Sequence, residues 1–161
     1  MKAIAENQPT TVSESTKLVL SYSFIVSTMY VIVFALAKIL NLEDHLEFRF
    51  INYLLLFFIT YSALNKLYNL NGHKMEYFSG FLKTFMISLL GSLWYCILFF
   101  IYLHIDHQFT ASLINQFPGN ILYPYFSITA VLFIEGIAMS AIVALAIMQI
   151  FKSKRGRWAS Q

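Results

Sequence analysis

Glu135 is the residue most able to do chemistry, because it is a carboxylate set inside the apolar stretch TAVLFIEGIAMSAIVALAIMQIF, residues 129–151. Three readings follow from its type and place. It is a protonated or hydrogen-bonded structural group, one half of an ion pair, or a relay for a proton or small cation, since ionisable side chains inside membrane spans mark functional sites by default. Lys38, near the end of another apolar run, is the expected partner for the ion pair, its long stem covering a difference in depth. Around Glu135, Gly136, Ser140 and Ala144 form a ladder of small residues four apart, and in lipid such ladders let helix backbones approach closely.

His104, Asp106 and His107 form a second cluster. Imidazole and carboxylate ligate zinc, but neighbouring ligands on so short a segment close a tetrahedron poorly and no fourth ligand stands nearby, so a solvated helix end is expected and no metal site. No nucleophile stands with a base and an orienting group, and no glycine loop cradles phosphate, so neither catalysis nor a cofactor is expected. Cys96 is the single cysteine, which rules out an intrachain disulfide.

The elements that must hold Glu135 are helices in a bilayer. Of 161 residues 58% are hydrophobic and 12% charged, and the mean hydropathy is +0.65, a membrane-protein balance. The stretch from 129 to 151 is about 34 Å long as a helix, enough to cross a hydrocarbon layer of ~30 Å. Its eleven Leu, Ile, Phe and Val residues from Val131 to Phe151 contribute very roughly −3 to −6 kcal/mol to insertion, against about +2.5 or more for the carboxylate. Insertion survives the charge.

Four spans are expected, at about 17–40, 50–67, 81–103 and 129–151, forming an all-α antiparallel bundle as one domain. A flexible polar tail, 1–16, precedes them and a basic tail, 152–161, follows; no cleaved signal peptide is expected. In the first span Ser23, Ser27, Tyr30, Phe34, Lys38 and Asn41 share one helix face. In the third, Thr84, Ser88, Gly91, Ser92, Tyr95 and Tyr102 share another, and Ser88, Gly91 and Ser92 are small enough for close packing. NLEDHLEF (41–48) and NLNG (69–72) read as short connections. The segment 104–125 is the longest, and Pro118, Gly119 and Pro124 argue against a continuous helix there.

On the fourth span the ladder lies about 100° to 180° around the helix from Glu135, while Ala146 and Gln149 lie within about 40° of it. Both of these faces are expected to touch protein. The arc carrying Ile134, Ile137, Ala141, Leu145 and Met148 is expected to face lipid.

Orientation follows from the basic residues. Lys2, Lys17, Lys66, Lys74, Lys83, Lys152, Lys154, Arg155 and Arg157 fall on one side, with only Lys38 and Arg49 on the other. Cytoplasmic loops carry the excess, so both termini are expected inside. The net charge of +3 flanks apolar runs instead of forming a patch with stacking aromatics, which sets nucleic acid aside as a partner. Tyr68, Tyr77 and Phe78 fit an interfacial belt.

Three stretches carry a family likeness: NLNGHKMEYFSGFLKTF, IDHQF, and FIEGIAMSAIVALAIMQIFKSK. With them, residues 17 to 155 resemble the bacterial four-span family catalogued as domain of unknown function 4199. That family's pattern has a proline after the Ile-Asp pair, where this chain has His107. The resemblance implies a fold and no activity. The expected function is that of a non-enzymatic bacterial inner-membrane subunit that contacts the bilayer and another membrane protein or copies of itself; the alternative is a small proton- or ion-coupled transporter or channel subunit built on Glu135.

Overall fold

A computed structural model describes residues 8–40, 47–70, 76–116 and 123–158, with side chains at 14–40, 50–70, 76–114 and 123–152. The described chain is all helix: α1 (Gln8–Ile39), α2 (Glu47–Leu70), α3 (Tyr77–Ile105), α4 (His107–Gln116) and α5 (Pro124–Trp158). Four stretches are long and apolar enough to cross a membrane: Glu14–Ile39, Phe50–Leu70, Tyr77–Ile105 and Pro124–Lys152.

Every helix outruns its expected span. Hydrophobicity marks where the chain must be helical to satisfy its backbone in hydrocarbon, and the helix then continues into the polar layer until something stops it. α1 begins at Gln8, inside the stretch expected to be a flexible tail, with Pro9 tolerated in its first turn. α5 begins at Pro124 and runs to Trp158, so most of the expected basic tail is helical. Proline as first residue costs α5 nothing, since that N–H has no partner in any helix.

The segment expected to be a connection contains the fourth helix of the chain. α4 is described over ten residues. Asp106 breaks the run between α3 and α4: its carboxylate accepts the Phe109 N–H at 3.0 Å, a side-chain cap three residues ahead. Thr110 closes the corner, its hydroxyl donating to Leu103 O at 2.7 Å and to Asp106 O at 2.9 Å. Of the expected connections 41–48 and 69–72, residues 47–48 and 69–70 are instead the ends of α2; the rest lie outside the described residues.

α3 is the hub, packing against α1, α2 and α5, while α2 bridges α1 and α5. Two contacts set its spacing. The site of a Cβ on Gly91 lies 2.6 Å from Val26 Cγ1 and 3.2 Å from Ser23 O, and the same site on Gly136 lies 3.0 Å from Ser92 Cβ. α1 and α5 therefore approach α3 where it, or its neighbour, has no side chain. The ladder of α5 is spent on this internal contact: Ser140 and Ala144 are fully buried.

Several buried hydroxyls find backbone partners within the bundle, which spares them water. Thr60 donates to Leu56 O at 2.6 Å, Thr84 to Gly80 O at 2.8 Å and Ser140 to Gly136 O at 2.7 Å. Ser23 also reaches across helices, to Ile87 O at 3.2 Å. The apolar core runs between the helices through Val26, Leu56, Leu64, Leu67, Ile87, Val143 and Ile147. Outward faces carry Phe24, Leu36, Phe58, Ile134 and Ile142.

Candidate functional site

Glu135 sits three residues, about 4.5 Å, before the midpoint of its apolar stretch, residue 138 of Pro124–Lys152. It is half-buried. Its Oε1 accepts a hydrogen bond from the Tyr53 hydroxyl of α2. Tyr30 of α1, buried, lies within electrostatic reach of Tyr53, Tyr95 and Glu135, and its ring meets that of Tyr95, on α3, edge-on at 5.3 Å. All four apolar helices thus contribute a side chain to one polar cluster: Glu135 bonded to Tyr53, Tyr30 within electrostatic reach of both, and Tyr95 against Tyr30.

Two polar atoms nearby in sequence complete the inventory. Ser92 Oγ, one turn before Tyr95 and packed against Gly136, and Asn52 Oδ1, beside Tyr53 in sequence, are buried with no hydrogen-bond partner among the described residues. Buried groups of this kind cost free energy and are uncommon. Gly136 is what brings Ser92 near: without a side chain at that position α3 closes on α5 one residue from the carboxylate. A carboxylate and phenols in low dielectric hold a proton or a small cation; they offer no nucleophile-and-base pair.

Lys38 does not supply the partner for Glu135 that its position on the seam suggests. Its ammonium binds the Asp106 carboxylate and the Tyr102 hydroxyl at the far end of α3. Tyr102 in turn donates to Asp106 at 2.7 Å, and the ammonium lies 4.8 Å from the Tyr102 ring centroid. Phe34 packs edge-on against Tyr102 at 5.2 Å. The physical reason is reach: Asp106 sits at the same end of the bundle as Lys38, outside the apolar stretch of α3, where a charge pair keeps some hydration.

The Asp106 carboxyl is held well below its ordinary range by the Lys38 ammonium first, then by the Phe109 N–H and the Tyr102 hydroxyl. Because the folded value is depressed, the stabilisation is present above the unfolded carboxyl range, near 3.8, and is lost as pH falls through and below it. Above pH 5, Asp106→Asn should lower the melting temperature in detergent by a few degrees, and the difference from the parent chain should shrink as the pH approaches 3. Lys38→Met should behave alike, since the carboxylate it leaves keeps its two other donors at the membrane edge.

The histidines part from Asp106. His104 Nδ1 lies 2.8 Å from Phe100 O and its ring stacks on Tyr125 at 4.5 Å, while His107 is exposed at the start of α4. Among the described residues no group of His, Cys, Asp and Glu is arranged to hold a metal.

The faces of α5 differ from those expected. Val143, Ala144, Ile147, Met148 and Phe151 are buried, whereas Ala146 and Gln149 are exposed. Met148, expected toward lipid, turns inward because the side packed on α2 and α3 extends past the ladder rather than toward Glu135. Glu135 therefore marks the border between the packed side and an outward arc of Ile134, Ala138, Ile142, Leu145 and Ala146.

Spacing missed Tyr53, Tyr102 and Asp106 as partners. Asp106 had a readable signal, an acid three residues before Phe109 and four after Tyr102. Tyr53 had none, because a tyrosine near the start of a span reads equally well as an interfacial anchor. The comparisons with known proteins add no relative: no protein-family model, no curated protein and no solved structure matches this chain.

Proposed function

We propose that this chain is a multi-pass protein of the bacterial inner membrane that takes up and releases a proton or small cation at Glu135, as a subunit of a small ion-coupled transporter or channel. The observation that carries this reading is a polar cluster drawn from four apolar helices, in which Glu135 accepts from Tyr53, Tyr30 lies within electrostatic reach of both and Tyr95 packs on Tyr30. A carboxylate kept there costs insertion energy that an alanine would not. Purified chain reconstituted into vesicles should pass protons or monovalent cations above the level of protein-free vesicles; flux at the protein-free level counts against it.

The reading as an accessory subunit loses the support of the ladder, which is occupied within the chain. It keeps one argument. A half-buried carboxylate at the edge of the outward arc of α5 favours a second polypeptide over that arc, whether a copy of this chain or another membrane protein. The two readings meet in an oligomer.

Both termini are placed in the cytoplasm, with sequential spans antiparallel, on nine basic residues against two. Single cysteines introduced at Ser13 and Ser153 should resist an impermeant thiol reagent added to intact cells, while one at Gln116 reacts. The reverse pattern inverts the topology. The resemblance to the family of domain of unknown function 4199 belongs to this proposal and brings no activity.

A further inference from the structure

At the end of the bundle away from Lys38, α2, α3 and α5 leave a cavity of about 350 Å³ lined by Leu64, Tyr68, Tyr77, Met148, Gln149, Phe151 and Lys152. We infer that it holds the phosphate headgroup of an anionic membrane lipid. The volume lies at the low end for ligand sites, right for a glycerophosphate and too small for a whole lipid.

Its lining is graded. Leu64, Met148 and Phe151 are buried and apolar, and Tyr68 packs against Phe151 at 5.8 Å. Lys152 and Tyr77 are exposed and lie at the last and first residues of their apolar stretches, Pro124–Lys152 and Tyr77–Ile105. The cavity therefore straddles the level where acyl chains give way to headgroups, with the glycerol end of a lipid against the apolar wall and its phosphate among the polar tips.

The charge is of one sign. Among the described residues Lys152 is the charged group of the lining; Glu76, the nearest acid in sequence, is exposed and outside it. Past Lys152 the chain adds Lys154, Arg155 and Arg157 and no acid. Tyr77, whose hydroxyl can donate to a phosphate oxygen, stands with the ammonium in the same lining.

The apolar wall commits the site to a lipid and not to a soluble phosphate. In native mass spectrometry of the full chain from mild detergent, phosphatidylglycerol should be retained over phosphatidylcholine of the same acyl chains. Lys152→Gln should weaken that retention about tenfold, the effect of one charge-assisted bond, with Lys152→Arg close to the parent chain. Lys66→Gln, an exposed cation at the same end outside the cavity, should leave it unchanged. No preference for phosphatidylglycerol, an equal loss in Lys66→Gln, or displacement of the lipid by glycerol phosphate at equal concentration would each overturn the assignment. All are binding readouts, so they stand apart from the flux assigned to Glu135.

Discussion

Gly91→Ala is expected to be the most damaging single-methyl change in the bundle. The added Cβ would lie 2.6 Å from Val26 Cγ1 and 2.8 Å from Val26 Cβ. A rotamer change moves Cγ1 but leaves Cβ where the backbone holds it, and Val26 is fully buried, so α1 and α3 must separate. Overpacking of this kind costs about 1 to 3 kcal/mol. Separation also stretches the Ser23 to Ile87 hydrogen bond, now 3.2 Å. The measurement is reversible unfolding in mixed detergent micelles. Val26→Ala combined with Gly91→Ala should recover only part of the loss, because it removes the Cγ1 contact and leaves Val26 Cβ at 2.8 Å and Ser23 O at 3.2 Å from the new methyl; strictly additive losses would show that Cγ1 is no obstacle, and full recovery that it is the whole of it. Gly136→Ala is the internal comparison. Its Cβ would lie 3.0 Å from Ser92 Cβ and 3.2 Å from Ser92 Oγ; rotation relieves the second, and the first needs a shift of a few tenths of an ångström, less than Gly91 requires, so it should cost less.

These contacts explain how much of the fold the sequence displays. Membrane spans announce themselves, because hydrocarbon demands both an apolar surface and a closed backbone, and a helix supplies both. Polar seams are legible for the same reason: Ser23, Ser27 and Tyr30, three to four apart, are buried together against α3. Helix ends are less so. They fall in the interfacial layer, where Pro9 and Pro124 in first turns, or Asp106 as a cap, decide the matter without any change in hydrophobicity.

Partner choice is the least legible part. The ladder Gly136, Ser140, Ala144 shows that something comes close to α5, but small residues serve a helix of the same chain and one of another chain equally well; here it is α3. Lys38 shows a similar ambiguity. Depth alone places it near Glu135, while the α3–α4 corner, which no periodicity reveals, brings Asp106 to it. The phenols around Glu135 come from three other helices at sequence separations of 40 to 105 residues, so only the packed bundle assembles them.

Glu135→Gln should leave the fold standing and stop the flux. Glutamine keeps the length of the side chain and a carbonyl oxygen that accepts the Tyr53 hydroxyl in place of Oε1. Removing an ionisable group from the span also lowers the cost of insertion. Stability in detergent should therefore be unchanged or raised, while flux in reconstituted vesicles falls to the protein-free level, because an amide neither takes up a proton near neutral pH nor balances a cation. Tyr53→Phe should do the converse: the carboxylate survives without its donor, at a cost of about 1.5 to 3 kcal/mol for a bond to a charged acceptor, and flux persists. Lys38→Met, acting at the Asp106 clasp, should leave flux intact. A Glu135→Gln protein that still conducts would sink the relay reading and leave Glu135 a structural acceptor for Tyr53. An intact, flux-dead Glu135→Gln protein beside a conducting Lys38→Met protein would place the transport step on α5, apart from the basic residue that sequence alone pairs with it.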